Sequence, residues 1–253
     1  MKNALFAIVT IIFLIGCTNK SLKEVKDIKP KKLEFRETYT NQEMLPYWTA
    51  ANSAAKSYED KRIEQLKVEA KGFTDNPMLL KHPMLKDLIT DLGANSFCAG
   101  VVEIDKKKWV DSILAIPEVK AQFPEDLEFM WSNPEKVSDD SEELKYMLYA
   151  TKKPSKRKAR LGNEIERVSV DNFDGQYSLA IKMTEKGSDI WHDITQQNIN
   201  RIIAICIDGT VYSAPKVMTV ISGGNTQISG SFTKEEAEEL KRSLEAGLKI
   251  NNR

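Results

Sequence analysis

The stretch from Arg201 to Ser213 leaves this chain the least conformational freedom. Ile202-Ile203-Ala204-Ile205-Cys206-Ile207 is an unbroken apolar run of strand length, rich in β-branched residues. A strand of that kind is at home only where both of its faces are covered. Asp208-Gly209 follows, a pair suited to the positive backbone angles of a two-residue hairpin, so Thr210 to Ser213 is expected to return antiparallel. The neighbouring segments build outward from this hairpin. Ser178 to Met183 alternates as a strand, and Gly187 to Thr195 reads as a helix through Ile190, Trp191 and Ile194. Gly223-Gly224, next to the turn former Asn225, reads as a tight turn between strands, with Thr226 to Ser229 as the next strand. Thr233 stands three residues before Glu236 and ahead of Ala237, Leu240 and Leu244, the spacing of a capping box at a helix start. Gly247 is expected to end that helix as a left-handed cap.

The earlier part of the chain is less regular. Leu33 to Tyr39 carries a weak alternation, and Glu43 to about Ala70 is rich in Ala, Lys, Glu and Leu and reads as a long helix ended by Gly72, Asp75, Asn76 and Pro77. Ala99 to Ile104 and Tyr146 to Ala150 read as strands with a helix, Trp109 to Ile116, between them, and the acidic stretch Asp139, Asp140, Glu142 and Glu143 as a surface loop. The basic residues Lys152, Lys153, Lys156, Arg157, Lys158 and Arg160 mark an exposed connection between an N-terminal α+β part, 33–160, and a C-terminal part, 161–249. Strands and helices without regular alternation make the fold class α+β, with antiparallel sheets and packed helices.

Lys2 precedes a short apolar segment, Ala4 to Ile15, which ends at Gly16-Cys17. It is shorter than the roughly 20 residues of a membrane span. Residues 1–16 therefore read as a cleavable export signal. Leu14-Ile15-Gly16-Cys17 resembles the lipobox of bacterial lipoproteins, which implies lipidation at Cys17 and attachment to an envelope membrane through that anchor alone, facing the periplasm. Thr18 lacks the acidic character associated with inner-membrane retention and favours the outer membrane. Residues 17–32 read as a flexible Lys-rich tether.

Formal charges balance, with 37 Lys and Arg against 37 Asp and Glu, which argues against a nucleic-acid partner. Cys98 and Cys206 are expected to be separate buried thiols. His82 and His192 are the available imidazoles. A helix-face pair of His192 with Asp189 reads as a surface contact, not a catalytic one. No His/Cys cluster has metal-ligand spacing, and Gly223-Gly224 lacks the Lys-Ser/Thr of a phosphate loop, so neither a metal, a cofactor nor an enzymatic role is expected.

The run Arg201 to Pro215, continued by Ile221-Ser222-Gly223-Gly224-Asn225-Thr226-Gln227-Ile228-Ser229-Gly230-Ser231-Phe232-Thr233, resembles the region of the GG signature of SecD. Trp191, Thr195, Asn198 and Arg201 are similar to the same pattern, and Leu33 to Tyr39, Phe123 to Leu127 and Trp131 are similar to fused SecDF proteins. The signature residues are Asp208, Gly209, Tyr212, Ser213, Ala214, Pro215, Gly223, Gly224, Gly230 and Phe232. Asp208 and Gly209 read as the hairpin, Tyr212 as packing and Pro215 as the end of strand pairing. The chain departs from the pattern at Asn200, where the family usually has Gly, and at Leu248-Lys249-Ile250, where it has a nearby Pro. The resemblance implies the first extracytoplasmic domain of SecD, a base and a head. It also implies contact with unfolded exported polypeptides or Sec translocon components, without the proton-driven work of the membrane helices. The alternative expectation is an interaction lipoprotein that reuses the fold for another envelope partner.

Overall fold

The computed structural model describes residues 28–69, 82–90, 93, 96–136 and 142–251. The export signal, Cys17, most of the tether, Asp139 and Asp140 lie outside these residues. Strand β1 (Leu33–Glu37) leads into helix α1 (Asn41–Glu69), followed by the short helix α2 (Leu85–Leu88), strand β2 (Gly100–Glu103) and helices α3 (Lys107–Leu114) and α4 (Pro117–Lys120). Strands β3 (Leu127–Ser132), β4 (Glu135–Lys136) and β5 (Leu144–Lys152) precede α5 (Lys156–Ala159). The remainder comprises β6 (Ile165–Phe173), β7 (Gln176–Met183), α6 (Glu185–Gln197), β8 (Ile203–Ile207), β9 (Thr210–Ser213), β10 (Asn225–Phe232) and α7 (Lys234–Asn251).

The larger sheet runs β1-β8-β9-β3-β5-β2, with β4 attached to β5. Every residue of β8 is buried. This apolar strand has antiparallel neighbours on both edges, β1 and β9, which satisfy its backbone groups. The β3–β9 pair runs parallel, one departure from the antiparallel pairing expected. The sheet then rolls until it meets itself: Thr38 bridges Thr151, and the Tyr39 N–H donates to the Ala150 carbonyl at 2.8 Å. Because paired residues share a face, the register assigns the two sides. Ala204, Cys206, Met130, Met147, Tyr149 and Val211 point inward and form their own cluster. Arg36 joins them on β1, bonded through Nη1 to Glu128 at 3.0 Å and through Nη2 to Glu34 at 3.2 Å.

The outer side of the roll carries two coverings. Over β1 and β8, Phe35, Ile203, Ile205 and Ile207 pack against Trp191 and Ile194 of α6 and against the second sheet, β10-β7-β6. Over β3, β5 and β2, residues Leu148 and Val102 pack against Ala51 and Ala55 of α1 and Val110 and Ile113 of α3. Trp48 of α1 stacks on Phe129 with ring centroids 5.2 Å apart, fixing the helix across β3. A capping box starts α1: the Glu43 N–H donates to Thr40 Oγ1 while Glu43 Oε2 accepts from the Thr40 N–H. The box read at Thr233 and Glu236 has the same two bonds, at 3.2 and 2.8 Å.

Several local expectations are corrected. Gly247 does not end a helix: α7 runs on to Asn251, and Gly247 is absent from the left-handed region of backbone space. It is glycine because a β-carbon there would run into the carbonyl of Lys31, where the N-terminal segment crosses the helix. That crossing holds Lys31 N–H on Ser243 O at 2.9 Å, so the last residues assigned to the tether are ordered. Pro215 does not stop pairing, since its carbonyl accepts from Ile203 N–H at 3.2 Å and Ile202 bridges Lys216 beyond it. Gly223-Gly224 is not a tight turn between adjacent strands: β9 and β10 belong to different sheets, and the pair closes a crossing from one to the other. The basic connection at 152–160 is exposed along most of its length, as expected, and is fastened at two points, with Lys158 Nζ 2.6 Å from Glu37 and Arg157 Nη1 2.6 Å from Asp193.

In an open helix interior, Gly→Ala gains about 1 kcal/mol. For Gly247→Ala the contact with Lys31 reverses the sign, and a loss of about 1–3 kcal/mol is expected, as for other overpacked sites. Urea unfolding measures it, and an unchanged or higher midpoint contradicts the crossing.

Candidate functional site

The signature residues divide among the hairpin, the start of α6 and a cleft. Asp208 and Gly209 sit at φ 49° and 80° and make the two-residue hairpin between β8 and β9. Asp208 also clamps the entry to β1, because its Oδ1 accepts from Lys32 N–H at 2.8 Å while its own N–H donates to Lys32 O at 3.0 Å. Gly223 and Gly224 lie against the start of α6. Gly224 has φ 61°, and a β-carbon there would run into the Ser188 hydroxyl; Lys182 Nζ donates to Gly223 O at 2.9 Å. These four residues hold the framework together. Ser213 pairs with Ile205 and carries the chain into Ala214 and Pro215.

Tyr212, Gly230 and Phe232 gather elsewhere, at a cleft of about 530 Å³ opened where β9 and β10 diverge beneath α7. The Tyr212 and Phe232 rings stack with centroids 6.2 Å apart and planes 23° from parallel. A register shift in β10 between Ser229 and Phe232 re-aims Phe232 towards this position. Gly230 leaves room beside it, since a β-carbon there would lie 3.1 Å from the Phe232 ring and push the ring by a few tenths of an ångström. The α7 face contributes Glu236, Glu239, Leu240 and Ser243, and the β3–β4 corner contributes Asn133, Pro134 and Glu135. Burial raises the pKa of Glu135 against a smaller opposing effect of the Ser132 hydroxyl. Sequence reasoning singled out the three signature residues but not Glu135, Glu239 or the β3–β4 corner. No local pattern marks them, because they come from separate elements.

Behind the cleft, the other residues that matched the family pattern form a polar joint between α6, β1 and α1. Trp191 packs on Phe35 with centroids 5.1 Å apart. Thr195 Oγ1 accepts from Ile221 N–H at 3.1 Å and pins the crossing that leads to Gly223. Asn198 Nδ2 donates to Glu37 Oε1 at 2.9 Å and to Ile194 O at 2.8 Å. Arg201 Nη2 donates to Glu43 Oε2 at 2.7 Å and to Thr38 O at 3.2 Å. Burial works to raise the pKa of Glu37, but the bonds from Asn198 and Lys158 outweigh it and hold the carboxyl below its ordinary 4.5. Glu43 behaves likewise, with burial outweighed by Arg201 and Thr40. Asn200, where the family has Gly, takes φ 63°. Asn is among the non-glycine residues that enter this region most readily.

The imidazoles are not in the cleft. His192 Nδ1 lies 3.4 Å from Asp193, and not on Asp189 as the helix spacing suggested. His82 N–H donates to the buried Glu59 at 2.8 Å, and the His82 ring rests 5.0 Å from that of Trp109. Cys98 and Cys206 are free and buried, Cys206 with its Sγ 3.6 Å from Met130 Sδ. Burial raises the pKa of the Cys206 thiol to about 12. Among the described residues no three His, Cys, Asp or Glu side chains gather as metal ligands, and no helix is long and apolar enough to cross a membrane.

The family model for the SecDF P1 head subdomain matches residues 146–248, the span that includes the hairpin, the α6 side of the joint and most of the cleft. This segment is a SecDF P1 head. Curated SecD relatives agree: the protein translocase subunit SecD of Calditerrivibrio nitroreducens is 49% identical over 69 residues, covering 27% of this chain and 13% of its own. SecD of Rhodothermus marinus is 30% identical over 152 residues, covering 58% and 24%. SecDF of Thermus thermophilus is 36% identical over 81 residues, covering 32% and 11%. The chain thus spans between 11 and 24% of the length of these relatives. A solved SecDF chain, described as a membrane component that enhances protein export, covers 86% of this chain and 93% of its own at 15% identity and TM-score 0.33. A second SecDF chain, in a super-membrane-facing form, is covered to 29% and covers 87% of this chain at 14% identity and TM-score 0.32.

Replacing Asn198 by Ala removes its two donated bonds from the joint, and a loss of about 1–3 kcal/mol is expected from the buried acceptors left behind. Glu37 and Glu43 have folded-state pKa values below 4.5, so their stabilisation is full above that pH and is lost as pH falls through the depressed values. Melting temperatures recorded from pH 6 down to pH 3 should fall less steeply for the Glu37→Gln, Glu43→Gln double variant than for the parent.

Proposed function

We infer that this protein is a non-catalytic, lipid-anchored module of the SecD ectodomain type that binds exported polypeptides as they emerge in extended form on the periplasmic side. One observation carries the reading: within a P1 head, the signature pair Tyr212 and Phe232, half-buried against the core, stacks with part of its surface lining an open cleft. Stacked aromatic faces beside Val211 and Leu240 give apolar side chains of an unfolded segment somewhere to rest, while Asn133 and Ser243 offer polar groups to its backbone. A binding module without an energy source acts by differential affinity: it biases a sliding segment towards the side on which it is held.

The relatives are named as translocase subunits, which supports translocation as the process served and Sec components as the neighbours. The Gly16-Cys17 sequence supports an acyl anchor as the means of staying at the membrane. Metabolic labelling with a palmitate analogue tests the anchor: label is expected on the parent and absent from Cys17→Ser, and equal labelling of the two contradicts it.

For the binding reading, a fluorescent unfolded secretory protein is titrated with the parent and with the Tyr212→Ala, Phe232→Ala variant. Losing an aromatic anchor of this type costs about 2 kcal/mol, roughly thirtyfold in Kd. Equal affinity of the two proteins, with folding verified by circular dichroism, removes the cleft from the reading.

A further inference from the structure

We propose that the cleft reads the charge of its polypeptide, taking segments in which Lys or Arg stands beside aromatic or aliphatic residues and rejecting acidic ones. This rests on the reading of the cleft as a polypeptide site and adds to it a substrate class.

The argument starts from which side chains surround the aromatic pair. Carboxylates approach from two directions: Glu236 and Glu239 from α7, and Glu135 from the β3–β4 corner. All three are exposed residues that line the cleft, although the Glu135 carboxyl itself is partly withdrawn from water, as its raised pKa reflects. Glu236 is held in its ionised form by the Thr233 backbone N–H and hydroxyl, which keep its pKa below the ordinary value. One cation, the half-buried Lys31, stands on the same rim. The rim is therefore net acidic, although the whole chain is balanced at 37 against 37.

The floor favours the same ligands. A cation is attracted to the face of an aromatic ring, and the attraction grows where water is partly excluded. This chain makes that contact within itself: Lys107 Nζ stands 4.8 Å from the Trp131 ring centroid, and Lys152 Nζ 4.5 Å from that of Tyr39. Tyr212 and Phe232 have no such partner among the cation–ring contacts of the described residues, and they lie beneath the acidic rim. A Lys or Arg side chain of a bound segment can lay its stem on these rings and its charge among the glutamates. An acidic segment meets like charges from both sides and gains neither contact.

The test uses the full chain in detergent and three unfolded peptides with one common Phe-Leu-Tyr core, flanked by Lys and Arg, by Gln, or by Glu. Fluorescence anisotropy is recorded at 50 mM and 300 mM salt. The basic peptide is expected to bind at least tenfold tighter than the acidic one at low salt, with the gap closing at high salt as the charges are screened. The Glu135→Gln, Glu239→Gln variant is expected to narrow the gap between the basic and the acidic peptide. The salt series supplies this readout even if the variant folds poorly. Equal binding of the three peptides overturns charge selection and leaves polypeptide binding standing, whereas no binding of any of them overturns polypeptide binding itself.

Discussion

Burial of strand β8 on both faces is the constraint around which the other elements are arranged. Its apolar side chains point alternately into the rolled sheet, where Ala204 and Cys206 meet Met130 and Tyr149, and outward, where Ile203, Ile205 and Ile207 meet α6 and the second sheet. At about 1.5–3 kcal/mol for each large aliphatic side chain removed from water, this one strand outweighs any single polar contact in the molecule. Its small inward residues are as important as its large outward ones. The inside of the roll has space for Ala and Cys opposite the Met and Tyr side chains, and larger residues at 204 and 206 would force it open. The other elements are thus a covering of β8, and the signature pair Asp208 and Gly209 sits at its end, where the return strand must be held in register.

The hairpin was legible from sequence because its information is local. The apolar run, the Asp-Gly turn and the return strand lie within a few residues of each other, and each points to the same structure. The long helix α1 and both capping boxes have the same quality, although the box at Thr40 and Glu43 escaped notice behind the Lys-rich tether. Strand β6 was missed. Its Ile165, Val168 and Val170 alternate imperfectly because the register shifts between Ile165 and Arg167, and one face is polar towards solvent. Gly247 was misread for an instructive reason: a left-handed cap and a close crossing of two backbones both demand the loss of a side chain, and only the fold tells them apart.

The cleft shows the limit of local reading more clearly. Its members run from Lys31 to Ser243, and their shared role exists only because β9 and β10 separate into different sheets. The resemblance to SecD pointed to Tyr212, Gly230 and Phe232, and bottom-up reasoning assigned Tyr212 to packing. Both statements describe part of its position. The ring is half-buried against the core, stacked on Phe232, and still open along one side. The polar joint at Asn198 and Arg201 likewise uses residues whose spacing carried no message, since each bonds to a partner from the opposite end of the chain.

That distance has a kinetic meaning. The clamp between Lys32 and Asp208 closes a loop of 176 residues, and the β1–β8 ladder begins beside it. A chain delivered N-terminus first must hold β1 without its neighbour until almost all of the remainder has emerged, and contacts so far apart in sequence slow the search for the native state. During that wait the alternating residues of β1 form an unprotected edge, open to pairing with the wrong strand. Lys32, Glu34 and Arg36 place charge along that edge, so the same side chains that later bond one another and Glu128 discourage premature partners during synthesis.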